Sequence, residues 1–430
     1  MNLNKNCIVI FNKSWGEVDF VLPMIKFLGE KNINVISIFR NNQIYCEKKN
    51  YKDLYKILIE NTEVINNKNN FNYDKLKINY FFSLFKNYKY LVEKLKKFKF
   101  SRIRNYLKNM QNDNSEIFIR YIKNKYSKID YILCADFDSD YQIWIDNFRD
   151  SKFLLFPHAI SIRGTEYDHL RNIPKNYIST NFKIRVENLK KFPKNTILFG
   201  CDDDELTYFK KFIGDNIILK KIGFARLSNE WMQYRKKFKK IENNISPKKN
   251  LLLLIGKENY IGRTELDKKI KDIFKIAEKI NYNIIIKNHP RNNLNISLYK
   301  MYGKIKIYES ELSLHATIEK VDFVIMTSKS GVCLDCIAYK KIPIEFYKSD
   351  RNNKKNNFYE FRINSKVLSI YNFKGLTYNF DNYLKLNTFI KTITNNSFLK
   401  RKYYKNCKLS YSKVVDHNFK YFENFRVLFN

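Results

Sequence analysis

The sequence predicts an α/β protein of two Rossmann-type domains, each built on a parallel β-sheet, that face each other across a crevice. Short uninterrupted apolar runs, such as Cys7–Phe11 and Leu251–Ile255, are typical of strands that are buried on both faces. Segments with helical spacing alternate with these runs in both halves of the chain. The 430 residues are 44% hydrophobic and 16% aromatic, which suffices for two large cores and excludes wholesale disorder.

The first half opens with a β-α-β unit. Cys7–Phe11 predicts a strand, apolar spacing from Val18 predicts a helix that stops near Gly29, and Ile33–Phe39 predicts the next strand, parallel to the first. Further strands are predicted over residues 131–134, 153–156 and 197–199.

A basic, aromatic insertion is predicted over about residues 51–126. The stretch contains no glycine or proline, so we expect it to be mostly helical. Its lysines either form the solvated side of helices that pack on the sheet, or face a membrane or a polyanionic acceptor.

The second half repeats the alternation. Strands are predicted over residues 251–255, 283–287, 304–308, 323–326 and 342–346, with helices over residues 265–280 and 332–339. A polar stretch that includes Pro247 separates the halves. We therefore predict a first domain over residues 1–225, a linker over 226–250, a second domain over 251–375, and a helical segment over 376–430 that packs back across the cleft.

Charge and cysteine content restrict the partners and the compartment. The net charge of +37 favours nucleic acid, acidic lipid or phosphate-bearing substrates, although a general bias towards lysine and asparagine explains it equally well. The cysteines are seven in number and scattered, and Cys333 and Cys336 fit the apolar side of a helix better than a zinc site. With no apolar run near the about 18–20 residues of a membrane span, and no signal-peptide pattern, we expect a cytoplasmic protein, with peripheral contact at an acidic membrane surface left open.

Two predicted strand ends in the second half carry polar loops. One strand ends in Lys287, followed by Asn288, His289, Pro290 and Arg291; the other runs into Thr327-Ser328-Lys329-Ser330-Gly331 and a helix. Because the carboxyl ends of parallel strands share an edge, we expect both loops to meet there. Hydroxyls, lysines and a helix start that Ser330 can cap favour a phosphate site over an ordinary capped helix and a buried histidine.

Two more residues belong to the same predicted edge. Lys257 follows Gly256 at a strand end and could reach a diphosphate, and Glu345 could hold ribose hydroxyls or form a surface ion pair. The chain has neither a G-x-G-x-x-G nor a G-x-x-x-x-G-K-[ST] motif, which argues against an ordinary dinucleotide site and a P-loop kinase.

Candidate catalytic residues follow two strands of the first half. Asp136 and Asp138 form a rare acidic site, and His158 could accept a proton near neutral pH. The aspartates could act as general base, as nucleophile or as the partner that orients His158, while helix caps and a core histidine are the structural alternatives. A metal site is not expected, because nothing nearby completes the aspartate pair. Gly16, Glu17 and Arg163 are candidate acceptor-binding residues on the same crevice.

The order of these motifs resembles that of GT-B glycosyltransferases that build bacterial surface and capsular polysaccharides. One branch comprises the CDP-glycerol and CDP-ribitol transferases. It is similar at Pro157-His158-Ala159, at Gly223-Phe224-Ala225-Arg226, at His289-Pro290, and at the loop Thr327–Gly331, called the serine loop below, which leads to Ile342–Tyr347. The other branch, transferases of CMP-activated 3-deoxy-keto sugars (Kdo or sialic-acid-like), shares the histidine-proline pair and the serine loop. Alanine replaces glycine after His158 and proline before Arg226, which departs from the first branch.

The resemblance implies a glycosyltransferase with a GT-B fold and no cofactor. A CMP- or CDP-linked sugar donor would bind the second domain, with His289, Ser328 and Ser330 at its phosphates, and a polysaccharide or lipid-linked acceptor would bind the first domain near His158. The alternatives are a CDP-glycerol-type polyol-phosphate transferase, a sugar-nucleotide epimerase, and a basic nucleic-acid-binding protein. No nucleic-acid recognition module is recognisable, so nucleic acid is not an expected partner.

Overall fold

A computed structural model describes most of the chain. The described residues are 5–12, 14–39, 45–66, 119–134, 141–156, 187–213, 217–237, 249–256, 263–288, 305–310, 313–347, 360–363, 366–415 and 421–426.

The first half forms a seven-stranded sheet in which every neighbouring pair of strands is parallel. The spatial order is β3-β2-β1-β4-β5-β6-β7, so the direction of winding reverses between β1 and β4. The strands are β1 (Asn6–Phe11), β2 (Asn34–Phe39), β3 (Glu63–Asn66), β4 (Tyr131–Cys134), β5 (Lys152–Leu155), β6 (Ile197–Gly200) and β7 (Ile218–Lys221).

The second half forms a six-stranded sheet of the same kind, with order β10-β9-β8-β11-β12-β15 and parallel pairing throughout. A separate antiparallel pair, β13 and β14, precedes the last strand. The strands are β8 (Asn250–Ile255), β9 (Asn283–Asn288), β10 (Ile307–Glu309), β11 (Phe323–Met326), β12 (Ile342–Phe346), β13 (Glu360–Ile363), β14 (Lys366–Ser369) and β15 (Tyr378–Phe380).

Helices cover both sheets. They are α1 (Trp15–Glu30), α2 (Lys52–Asn61), α3 (Gln142–Asn147), α4 (Asp203–Ile213), α5 (Asn229–Lys236), α6 (Arg263–Lys279), α7 (Leu314–Ile318), α8 (Val332–Ala338), α9 (Ile370–Phe373), α10 (Tyr383–Asn395), α11 (Ser397–Val414) and α12 (Tyr421–Arg426). No helix in this described part of the chain combines the length and the apolar content that a membrane crossing requires.

Helix α1 shows how local sequence sets an element boundary. It passes Gly29, the predicted stop, and ends one residue later. Asn32 then adopts a left-handed conformation with φ 56°, and the amide of Ile33 donates to the carbonyl of Leu28 at 3.1 Å. This arrangement is a Schellman cap, in which asparagine takes the place of the usual glycine.

The two faces of the second sheet bury different partners. On one face, Ile284, Ile286 and their neighbours pack with α6 and α10. On the other, Ile285, Leu252 and Met326 join a core that also contains α8 and apolar residues of the first half. The halves therefore share a continuous apolar core on one side of the second sheet.

The last helix contacts the first half. Phe425 of α12 lies edge-on to Phe27 of α1, with ring centroids 5.3 Å apart, and 6.2 Å from Phe156 and from Phe199. The carboxyl-terminal segment is not helical throughout, because β15 within it completes the edge of the second sheet.

Most predicted strands occur where expected, and the fold class of two parallel-sheet α/β domains is confirmed. The insertion predicted as helical contains the strand β3 as well as α2, and the stretch predicted as a linker contains α5. Cys333 and Cys336 are free and buried in α8, and burial raises the pKa of both thiols, as expected for structural cysteines.

Candidate functional site

Strands β9, β8 and β11 end side by side at one edge of the second sheet. Strand β8 lies between β9 and β11, and Leu254 is in register with both Lys287 and Met326. The amide of Gly256 donates to Thr327 Oγ1 at 2.9 Å, and the amide of Thr327 donates to the carbonyl of Leu254 at 3.1 Å. The turns after β8 and β11 are therefore tied directly to each other.

Gly256 permits this close approach. A Cβ at that position would lie 2.1 Å from Ser328 Oγ and 2.5 Å from Ser328 Cβ, where ordinary contacts are 3.4–4 Å. Any side chain here would displace the serine loop, so the glycine is required by space.

The serine loop is accessible to solvent. Ser328, Lys329, Ser330 and Gly331 are all partly exposed, whereas the strand residues before them are buried. Ser330 Oγ accepts a hydrogen bond from the amide of Val332, the first residue of α8, at 3.3 Å. The N-cap residue of α8 is Gly331 rather than Ser330, so the predicted serine cap is displaced by one residue.

Lys287 extends the edge towards the first half of the chain. Its Nζ lies 4.7 Å from the ring centroid of Tyr51, the residue just before α2. Burial lowers the pKa of Lys287 to about 8, against the opposing charges of Asp53, Asp19 and Glu309. The lysine thus lies where the two halves meet, and a bound anion would favour its charged form.

Glu345 is buried at the end of β12, in register with Met326. Ser369 Oγ donates to its carboxylate oxygens at 2.8 and 3.0 Å, and Asn379 Nδ2 donates at 3.3 Å. Burial raises the pKa of Glu345 to about 7, although the hydrogen bonds from Ser369 and Asn379 oppose the shift. The alternative of a surface ion pair is wrong, while the ribose-binding role stays a prediction.

In the first half, Glu17 at the start of α1 is bonded to the residue that follows β1. The carboxylate of Glu17 is buried and accepts a hydrogen bond from the amide of Asn12 at 2.8 Å, so it stabilises the start of α1. A Cβ added to Gly16 would lie 3.3 Å from Ser14 Oγ, slightly closer than the 3.4–4 Å of an ordinary contact. The acceptor-binding roles of Gly16 and Glu17 stay predictions.

Several predicted site residues lie outside the described residues. They are the catalytic candidates Asp136, Asp138 and His158, the donor-side candidates Lys257, His289, Pro290 and Arg291, and the acceptor-side candidate Arg163. Within the described ranges, no group of three or more histidine, cysteine, aspartate or glutamate side chains is arranged so that it could hold a metal ion.

A buried ion network joins the two halves beside the predicted site. Arg226, in the stretch between the sheets, forms an ion pair with Asp335 of α8, and its Nη1 lies 3.4 Å from Asp19 Oδ2 of α1. His315 of α7 lies against the same two carboxylates, with Nε2 2.8 Å from Asp335 Oδ1 and 3.6 Å from Asp19 Oδ2. All four side chains are nearly inaccessible to solvent.

A second arginine continues the network. Arg235 of α5 donates to Asp19 and to Asp53, each at 3.1 Å, and to Ser313 Oγ at 2.6 Å. The amide of Ser313 donates to Asp53 Oδ1 at 2.9 Å, which links α2 of the first half to the start of α7 in the second.

The charges in this network compensate one another. Burial acts to raise the pKa of Asp335, but Arg226 and His315 outweigh it and hold the pKa below its usual value. The carboxylates of Asp19 and Asp53 outweigh burial in the same way and raise the pKa of Arg235. Arg235 and Asp335 therefore remain charged, and the network links the two halves.

Sequence reasoning missed this network, although a signal was present. Asp19 lies between Val18 and Phe20 in a part of α1 that is otherwise apolar from residue 18 to residue 25, and Asp335 lies between Cys333 and Cys336 in a similar context. A carboxylate on a buried helix face needs a cationic partner, so both positions indicated distant arginines without identifying them.

Comparisons with known proteins identify the fold. No protein-family model and no curated protein matches the chain in sequence. Among solved structures, the UDP-GlcNAc 2-epimerase of Methanocaldococcus jannaschii in complex with UDP-GlcNAc and UDP is similar, with TM-score 0.54, 16% identity, 91% of this chain covered and 93% of that one. The wall teichoic acid polymerase TagF is similar with TM-score 0.54, 12% identity and coverage of 99% and 88%. A UGT transferase from Siraitia grosvenorii in complex with UDP is similar with TM-score 0.52, 8% identity and coverage of 99% of each chain.

These likenesses extend over nearly the whole chain at low identity. They show that the two sheets have a GT-B-like arrangement, which confirms the fold expected from the motif order. Transferases and epimerases both have this arrangement, so the likeness shows the fold and does not by itself show an activity.

Proposed function

We propose that the chain is a glycosyltransferase that moves a sugar from a nucleotide-activated donor to a polysaccharide or lipid-linked acceptor in surface polymer synthesis. The observation that carries the proposal is the accessible serine loop, which closes on Gly256 at the carboxyl edge of the second sheet. Ligands of open parallel sheets bind at this edge, and a phosphate needs the small residues and donors found here.

In this proposal, the donor occupies the second half. Backbone amides and hydroxyls of Ser328 and Ser330 would hold the phosphates, with Lys287 and His289 adding positive charge or donors. Together these groups would neutralise the charge that develops on the departing nucleotide.

The acceptor would approach from the first half. His158 would remove the proton of its hydroxyl in a single displacement, or Asp138 would attack the donor and form a covalent intermediate, with Asp136 as the further candidate. The Arg226 and Arg235 network supports this arrangement, because it holds the halves together so that acceptor and donor can be aligned.

The identity of the nucleotide is the finer part of the proposal. The motif order favours CMP or CDP, whereas two of the similar structures contain UDP. A donor panel therefore includes sugars linked to all three nucleotides.

Two other reactions are favoured by specific likenesses. The similarity to TagF supports a polyol-phosphate transferase, which would turn over CDP-glycerol and no nucleotide sugar. The similarity to a UDP-GlcNAc 2-epimerase supports isomerisation of the donor, which needs no acceptor. Release of free nucleotide that depends on added acceptor identifies a transferase, and an isomerised sugar nucleotide without acceptor identifies an epimerase.

The experiment that tests the site compares two serine variants. Ser330→Ala removes a partly exposed hydroxyl at the proposed phosphate site, while Ser412→Ala removes an exposed hydroxyl on α11 that donates to the Lys408 carbonyl of the same helix. We expect Ser330→Ala to weaken calorimetric nucleotide affinity by about fivefold or more and Ser412→Ala to leave it unchanged. Equal affinities for UDP, CDP and CMP in both variants would contradict the proposed site.

A further inference from the structure

A lysine and two tyrosines join their polar ends in the stretch after β2. Lys48 Nζ donates to Tyr45 Oη at 2.9 Å, and the hydroxyls of Tyr45 and Tyr55 lie 3.2 Å apart. The same Nζ lies 4.2 and 4.7 Å from the two ring centroids. An ammonium group and two phenol hydroxyls are therefore gathered at one point.

This cluster lies at the carboxyl edge of the first sheet. The ring of Tyr45 lies edge-on to Phe39, the last residue of β2, with centroids 5.6 Å apart, and Tyr55 lies edge-on to Trp15 at 6.2 Å. Trp15, which begins α1, stacks at 5.5 Å on Tyr51. Since Lys287 of the second half lies over Tyr51, the cluster is close to the place where the two halves meet.

Aromatic packing accounts for the rings but not for the cation among them. Lys48, Tyr45 and Tyr55 are all partly exposed, and no carboxylate among the described residues lies within ion-pair distance of Lys48. The hydrogen bond with Tyr45 raises the pKa of Lys48, and burial raises the pKa of Tyr55. At neutral pH the cluster thus presents a charged ammonium and protonated hydroxyls, a donor set suited to an anion.

We infer that Lys48, Tyr45 and Tyr55 form a subsite for a negatively charged group, a carboxylate or a phosphate, on the acceptor chain. The ammonium compensates the charge of the bound group. One phenol hydroxyl donates to the other, and the second donates a hydrogen bond to an oxygen of the bound anion. This assignment rests on the proposed function, because it makes the first half the acceptor side, and it specifies the acceptor as an acidic glycan or a phosphate-linked polymer.

The test uses isosteric variants and probes of defined charge. Lys48→Met removes the charge, Tyr55→Phe removes a hydroxyl and keeps the ring, and Lys49→Met is the matched control, with the same charge change at an exposed neighbouring residue. The probes are a hyaluronan hexasaccharide for carboxylate, a glycerol phosphate hexamer for phosphate, and neutral maltohexaose. Affinities are measured by calorimetry, with nucleotide affinity recorded separately for each variant.

We expect the unsubstituted chain to bind one anionic probe more tightly than maltohexaose. Loss of a charge-assisted hydrogen bond should weaken that binding about tenfold or more in Lys48→Met, by less in Tyr55→Phe, and hardly at all in Lys49→Met. Three results would overturn the inference: an equal loss of affinity in Lys48→Met and Lys49→Met, binding of maltohexaose as tight as that of the anionic probes, or no binding of either anionic probe. We expect nucleotide affinity to be unchanged in all three variants, and this separate measurement distinguishes failure of the acceptor subsite from failure of the donor site.

Discussion

Replacing Gly256 by alanine tests whether the turns after β8 and β11 form one site. The added Cβ would lie 2.1 Å from Ser328 Oγ, so this oxygen would have to retreat by about 1.3 Å to reach the 3.4 Å at which ordinary contact begins. Overpacking of this kind costs about 1–3 kcal/mol of folding free energy. Because the displaced residue begins the serine loop, we also expect nucleotide affinity to fall about tenfold or more.

The assays are urea unfolding for stability and calorimetry with UDP, CDP and CMP for binding. Ser328→Gly in the same chain removes both clashing atoms, so the double variant should regain the lost stability. Gly29→Ala is the control: its Cβ would meet only the Asn61 carbonyl oxygen, at 3.9 Å, and the change should stabilise the helix by up to about 1 kcal/mol. Unchanged stability and affinity in Gly256→Ala would refute the reasoning.

Three further predictions concern the ion network, the buried carboxylate and the candidate base. Arg226→Met leaves Asp335 without its arginine and should lower the free energy of unfolding, measured with urea, by about 3–5 kcal/mol. The control Arg401→Met, at an exposed residue, should lower it by less than about 0.5 kcal/mol. Equal losses in the two variants would contradict a stabilising network. Burial raises the pKa of Glu345 to about 7, so the folded state binds a proton that the unfolded state has lost, and the free energy of unfolding should fall as pH rises from 5 to 8. Glu345→Gln should remove about 3 kcal/mol of that fall. A variant with the same pH profile as the unsubstituted chain would contradict this prediction. His158→Ala should abolish transfer and leave nucleotide affinity unchanged, and full activity would assign the base elsewhere.

The strands at the centre of each sheet were predictable because both of their faces are buried. Cys7–Phe11 and Leu251–Ile255 are continuous apolar runs for this reason. At the edges, the strand β3 contains Glu63 and Asn66, and β7 ends in two lysines, so the apolar run is lost and neither strand was predicted. An edge strand faces water on one side, so it tolerates polar residues and lacks the continuous apolar run that identifies a central strand.

The grouping of polar residues at the carboxyl edge of the second sheet was predictable for a topological reason, and the ion network was not. Parallel pairing alone places Lys287 and Thr327 at one edge, whatever the side chains around them. By contrast, Asp19, Arg226 and Asp335 come together only through the packing of the two halves, and their sequence separations exceed 100 residues. Local patterns specify that a buried carboxylate needs a partner but carry no information about which distant arginine supplies it.

Amide hydrogen exchange tests the central claim most directly, since it reports where a nucleotide binds. The unsubstituted chain is exchanged with and without saturating UDP, CDP and CMP. We predict that at least one nucleotide slows exchange at residues 327–331 and at Gly256, with smaller changes along the first sheet. Protection confined to other parts of the chain, or no protection by any of the three nucleotides, would contradict a donor site on the second sheet.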